Sequence, residues 1–194
     1  MKVGVLASQG AFVEHIAILR QLEVEALPVR LPRELVGLDG LIIPGGESTS
    51  IAKLMLGDGL ADKIKKQAEE GLPLFGTCAG MILLANDVSD SSVPSLGLLK
   101  IRIRRNAFGR QRDSFETELE IPALGEKPFP GVFIRAPIIE KANSGVEVLA
   151  RLSDGTIAAV RQDNIVALSF HPELTDDLRF HRYFLNIITQ RQRA

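Results

Sequence analysis

A lone cysteine, Cys78, stands in Gly76-Thr77-Cys78-Ala79-Gly80, after the apolar run LPLFGT (72–77) and before AGMILLAN (79–86). The form is G-x-C-x-G between a predicted strand and a predicted helix, the context of a nucleophile elbow with cysteine in place of serine. Such a turn holds its nucleophile in a strained backbone conformation. Flanking glycines let neighbouring backbone pass close without a Cβ clash. The helix that follows aims its N-terminal partial positive charge at the sulfur and favours thiolate. That help matters, because a free thiol with a pKa of about 8.5 is mostly protonated at neutral pH. The competing reading is an inert core cysteine; the glycine frame and the strand–helix junction favour the nucleophile.

A thiol nucleophile needs a base, and the chain holds three histidines. His15 lies beside Ile16 in the first amphipathic segment and reads as a helix-flank residue. His181 lies inside the last helical segment and reads as packed or half-exposed. His171 directly follows the strand-like NIVALSF (164–170), and Pro172 keeps a helix from starting there. Ligand sites form at the carboxyl ends of parallel strands, so Cys78 and His171 are expected at one sheet edge. Glu173 is two residues further on, and in an extended segment it points the same way as His171. Its carboxylate is then expected to accept a hydrogen bond from the far ring nitrogen, fixing the tautomer and stabilising imidazolium. An exposed glutamate near a turn is the alternative.

Acyl chemistry also needs donors for an oxyanion. The turn PGGEST (44–49) offers backbone N–H near Gly46, to which the N–H of Ala79 would add. The same stretch also reads as a helix start capped by Ser48 or Thr49. No lysine follows the glycines as a Walker A loop requires. The run RIRRNAFGRQRDSF (102–115) carries five arginines. It reads as a solvated strand face, and an arginine beside a pocket would clamp a substrate carboxylate. Arg135 in FIRAP (133–137) is a second candidate for that task.

These groups need a frame. KVGVLA (2–7), GLIIPGG (40–46) and LPLFGT (72–77) read as strands. AFVEHIAILRQL (11–22), the stretch 47–71 with a break at Gly57 and Gly59, and AGMILLAN (79–86) read as helices. Alternating strands and helices imply βαβ units and a parallel sheet covered on both faces. From Leu98 to Val160 strand-like segments dominate (LLKIRIRR, SFETELEI, GVFIRAPII, VEVLARL, TIAAVRQ), an antiparallel section inserted into that core. A closing amphipathic helix near DDLRFHRYFLNIITQ would dock through Phe180, Phe184, Ile187 and Ile188. Without repeats or a linker, residues 1–194 read as a single domain.

Composition narrows the function classes. A formal net charge of −1 over 194 residues argues against a general nucleic-acid binder. No apolar stretch approaches a membrane span, and the N-terminus lacks the apolar run of a signal peptide. One cysteine cannot form an internal disulfide, so a reducing cytoplasm is the expected location. One cysteine and three histidines make a zinc site improbable, and no cofactor is expected.

G-T-C-A-G, with H-P-E near the C-terminus and P-G-G earlier, resembles class I, triad-type glutamine amidotransferases. LASQGAFVEH (6–15), PGGEST (44–49), FGTCAG (75–80), RNAFGRQ (105–111), DSFE (113–116), GVFIRAP (131–137) and SFHPELT (169–175) resemble, more narrowly, the glutaminase subunit of pyridoxal 5'-phosphate synthase. That resemblance implies an α/β fold, a flavodoxin-like three-layer αβα sandwich with a mostly parallel central sheet. It implies that Cys78 attacks the amide of L-glutamine to form a glutamyl thioester, with His171 as proton carrier and Glu173 orienting it. It implies a glutamine site lined by Gly46, Glu47, Ser48, Arg105, Ile134 and Arg135, with Gly46 and Ala79 at the oxyanion. It implies transfer of ammonia to a (β/α)8-barrel synthase subunit in a large complex. The resemblance also implies that docking of that partner, contacted through Gln9 and the first helix, activates a glutaminase that is weak alone, through a rearrangement near the PGG turn. Hydrolysis of γ-glutamyl peptides, chemistry on small reactive carbonyls, and a docking subunit with an idle triad are the alternatives.

Overall fold

The computed structural model describes residues 1–89, 93–105 and 114–193. Its central sheet begins with strands β1 (Lys2–Leu6), β2 (Glu25–Val29), β3 (Gly40–Ile43) and β4 (Leu74–Thr77), and takes in β12 (Ile165–Leu168) from the far end of the chain. In the order β2-β1-β3-β4-β12 these five run parallel. The sheet continues through β11 (Ile157–Gln162), β9 (Ile138–Ala142), β6 (Leu99–Arg104) and β5 (Ala85–Val88), with β10 (Glu147–Arg151) paired to β11. The β12/β11, β11/β9, β9/β6 and β10/β11 pairs are antiparallel, and β5/β6 is parallel. Strands β7 (Ser114–Leu119) and β8 (Phe129–Ile134) form a separate antiparallel pair. The parallel core and the antiparallel section thus stand as expected.

Strand alternation builds the layers, because successive side chains point to opposite faces. Leu41, Ile43, Leu74 and Ala167 pack with helices α2 (Ser48–Gly57), α3 (Leu60–Glu69) and α4 (Ala79–Leu84). Val3, Val5, Ile42, Phe75, Val166 and Leu168 pack on the other face with α1 (Phe12–Gln21) and α5 (Arg179–Arg193). The closing helix docks through Phe180, Phe184, Ile187 and Ile188, all buried.

Two readings need correction, and one strand is unforeseen. The helix after Cys78 ends at Leu84, and Asn86 already belongs to β5. GVFIRAPII is two strands, broken where Arg135 takes φ 42°. Residues 25–29 form an edge strand, which the sequence conceals because Pro28 lowers its strand signal; at the edge of a sheet a missing N–H is tolerated. Gly59 does divide α2 from α3, with φ 71°.

Candidate active site

Three adjacent strands carry the candidate residues to one edge. Ile43 of β3 pairs with Gly76 of β4, and Thr77 of β4 pairs with Leu168 of β12. The segments that leave their carboxyl ends therefore start side by side: Pro44-Gly45-Gly46 from β3, Cys78 from β4, and Ser169-Phe170-His171 from β12. Cys78 is pinned by its N–H, which donates to the Leu168 carbonyl at 2.8 Å. His171 is pinned by its N–H, which donates to the Val132 carbonyl at 2.8 Å, so β8 backs this histidine.

Cys78 has φ 48° and ψ −104°, a conformation costly for any residue with a Cβ and one that persists only where its surroundings impose it. The surroundings here are tight. A Cβ on Gly80 would stand 1.9 Å from the Ile43 carbonyl oxygen. Gly80→Ala is therefore expected to lower unfolding free energy by roughly 1–3 kcal/mol or more. Gly57→Ala, with open space around its Cβ, should be neutral or slightly stabilising. Urea titrations of the two variants make the check, and equal midpoints would remove the close-approach argument.

His171 Nδ1 and Glu173 Oε1 are 2.7 Å apart, and both residues are buried. Burial pushes the His171 pKa down, but hydrogen bonds to Cys78 and Glu173, and their charges, outweigh it and raise the pKa to about 10. Imidazolium is the favoured form, as a thiolate partner requires. The route to this geometry differs from expectation. Pro172 does not exclude helix; it opens a single 3-10 turn, Pro172–Leu174, because its fixed φ suits the first helical position. The turn, rather than extended backbone, brings Glu173 under the ring.

Cys78 and His171 open on a cavity of about 280 Å³ lined also by Gly46, Glu47, Ser48, Ala79, Arg105, Ile134 and Arg135. Every candidate site residue except the buried Glu173 lines it; Ile82 and Pro137, which the sequence did not single out, complete the wall. Ser48 and Thr49 do not cap α2. The cap position is Glu47, whose carboxylate accepts from Ser50 Oγ. Of the arginine cluster, Arg102 and Arg104 are the solvated face, paired across the sheet with Asp87 and Glu140. Arg105 is the described arginine of that run which turns to the cavity. Residues 106–113, with Arg110, Arg112 and parts of the RNAFGRQ and DSFE stretches, lie outside the described residues.

His15 is not a helix-flank residue. It is fully buried, with Nδ1 2.9 Å from His181 Nε2 and Nε2 3.3 Å from Thr77 Oγ1. The signal was present in its spacing: Phe12, His15 and Leu19 share one helical face. His181 is packed and fully buried. Burial, then the neighbouring His181 and His171, hold the His15 pKa well below the usual histidine range. Burial lowers His181 to about 4. Both are neutral in the fold, so their stabilising share is complete above pH 6.5 and is lost as pH falls below it. For His181 alone the loss approaches about 3 kcal/mol by pH 4. Between pH 7.5 and 5 the wild type should accordingly lose more unfolding free energy than His181→Phe; parallel curves would refute this.

Among the described residues no group of His, Cys, Asp and Glu is arranged to hold a metal ion, and no helix is long and apolar enough to cross a membrane.

A thiol, an imidazole and a buried carboxylate stand together at the carboxyl edge of a parallel sheet, a set of groups suited to thiol acyl chemistry on an α/β fold. Residues 5–190 match the SNO glutamine amidotransferase family, and the chain belongs to it. It is 57% identical over 190 residues to the pyridoxal 5'-phosphate synthase subunit PdxT of Herpetosiphon aurantiacus, covering 96% of this chain and 100% of that one. It is 58% identical over 189 residues to the PdxT of Dehalococcoides mccartyi strain 195, covering 96% and 97%. A crystal structure of a glutamine amidotransferase superposes with a TM-score of 0.93 at 52% identity, covering 97% of this chain and all of the other.

Proposed function

We propose that the chain is the glutaminase subunit of a pyridoxal 5'-phosphate synthase, hydrolysing L-glutamine to L-glutamate and ammonia. The observation that carries this is the strained Cys78 facing His171, itself bonded to Glu173, on a cavity lined by Gly46, Glu47, Ser48, Arg105, Ile134 and Arg135. The Cys78 thiolate adds to the side-chain amide carbon of glutamine. N–H groups of Gly46 and Ala79 receive the oxyanion. The C–N bond breaks as imidazolium His171 gives its proton to the departing nitrogen, leaving ammonia and a glutamyl thioester. Neutral His171 then takes a proton from water, hydroxide adds to the thioester, and glutamate leaves as the thiolate and imidazolium are restored. Glu173 keeps Nδ1 protonated throughout. Arg105 and Arg135 supply the positive charge for the substrate's α-carboxylate.

The ammonia passes to a synthase subunit, a (β/α)8 barrel in a heteromeric complex, for pyridoxal 5'-phosphate synthesis; the 52–58% identity to PdxT subunits over nearly the whole chain supports this pairing. The free thiol fits a cytoplasmic location. The test is glutamate release from glutamine with and without the synthase subunit. Partner-stimulated release is expected. No release under either condition, with release from γ-glutamyl peptides instead, would move the substrate class.

A further inference from the structure

The triad stops being accounted for at the far oxygen of Glu173. Oε1 receives His171, but Oε2 is fully buried and has no formed hydrogen bond. An ionised carboxylate oxygen left bare inside a protein is costly. His15 Nε2, a ring nitrogen able to donate, stands 3.4 Å from it.

The three histidines of the chain and Glu173 form one buried line, and satisfying its atoms fixes the protons. His181 Nδ1 is buried and unpartnered. A bare ring nitrogen there loses one acceptor contact, whereas an N–H there would be an unpaired buried donor. His181 therefore carries its proton on Nε2 and donates it to His15 Nδ1, 2.9 Å away. His15, held neutral by burial, must then carry its proton on Nε2. That nitrogen stands 3.4 Å from Glu173 Oε2 and 3.3 Å from Thr77 Oγ1. The opposite tautomers would face a lone pair at the carboxylate. Thr77 Oγ1 also accepts the Gly45 N–H at 3.1 Å, tying the same line to the PGG turn.

On this geometry, and resting on the glutaminase reading above, we propose that His15 is a positioning residue for the triad. Its Nε2–H, in the tautomer set by His181, holds Glu173 Oε2 and through it the orientation of His171. The titratable groups packed around it are His181 from α5 and Glu173 and His171 from the β12 edge; the neutral hydroxyl of Thr77 from β4 completes the contacts.

The test compares wild type, His15→Leu, His15→Gln and His181→Phe. Steady-state glutaminase kinetics are measured with the synthase subunit present, and the His171 ring is titrated by nitrogen NMR in the full chain. His15→Leu should lower kcat about 30-fold, with KM within about twofold, as misplacement rather than lost binding would. The His171 midpoint should fall by about one pH unit. A glutamine amide reaches the position of Nε2, so His15→Gln should restore most of both readouts. His181→Phe, which frees the tautomer, should fall between. An unmoved His171 midpoint in His15→Leu, or a glutamine variant no better than leucine, overturns the proposal. If the leucine variant does not fold, the midpoint in His181→Phe decides in its place. Absence of glutamate release from wild type would defeat the glutaminase reading alone, because the NMR titration still reads the His15 contact.

Discussion

Cys78→Ala is expected to remove glutamate release. Turnover in the presence of the synthase subunit should fall by about 10⁴-fold or more, since no thioester can form and water must attack the amide without a nucleophile. What remains is the effect of bound geometry and oxyanion donors, which survive loss of a triad member. Fold and substrate binding should both persist. The Cys78 side chain is small, its backbone is held by Leu168 and the flanking glycines, and the cavity wall of Gly46, Ser48, Arg105 and Arg135 is untouched. Calorimetry with glutamine should accordingly give a binding signal for the variant close to that of wild type. Undiminished turnover in Cys78→Ala would show that the thiol is not the nucleophile; loss of glutamine binding along with turnover would show that the sulfur serves the site rather than the chemistry.

The chain announces its site more openly than its supports. Cys78, His171 and Glu173 are legible because elbow, sheet edge and sequence proximity each constrain them locally. The parallel core is legible because buried strands such as Leu41–Ile43 and Val166–Leu168 are continuous apolar runs. The strand at Glu25–Val29 is less so, since its Pro28 is acceptable only once the edge position is known. The 3-10 turn under Glu173 is a choice between two conformations that Pro172 permits equally. His15 is concealed because a polar side chain on the face of Phe12 and Leu19 does not announce its burial. Its partners, at positions 77, 173 and 181, are so distant in sequence that only the folded sheet assembles them. The carboxylate's second oxygen, and hence the need for His15, is visible only in three dimensions.

Glu173→Gln should be the next largest loss, a fall in kcat of about 10³-fold, with a signature in stability that marks its cause. In the wild type His171 is raised to about pH 10 by its bonds to Cys78 and Glu173 against the opposing burial. A raised histidine pKa stabilises the fold fully below the unfolded value of 6.5, and the contribution is lost as pH rises through about 10. Glutamine at 173 keeps an acceptor for Nδ1–H but removes the negative charge, so imidazolium loses its buried counter-ion while the ring keeps its place. The gap in unfolding free energy between wild type and variant should therefore be widest near pH 6 and close as pH approaches 10, because above that point both hold a neutral ring. Urea unfolding at pH 6, 8 and 10 measures it. A gap that stayed constant would mean that Glu173 acts by packing and hydrogen bonding alone. A gap that closes, together with lost turnover, ties the activity of Cys78 to the charge that Glu173 keeps on His171.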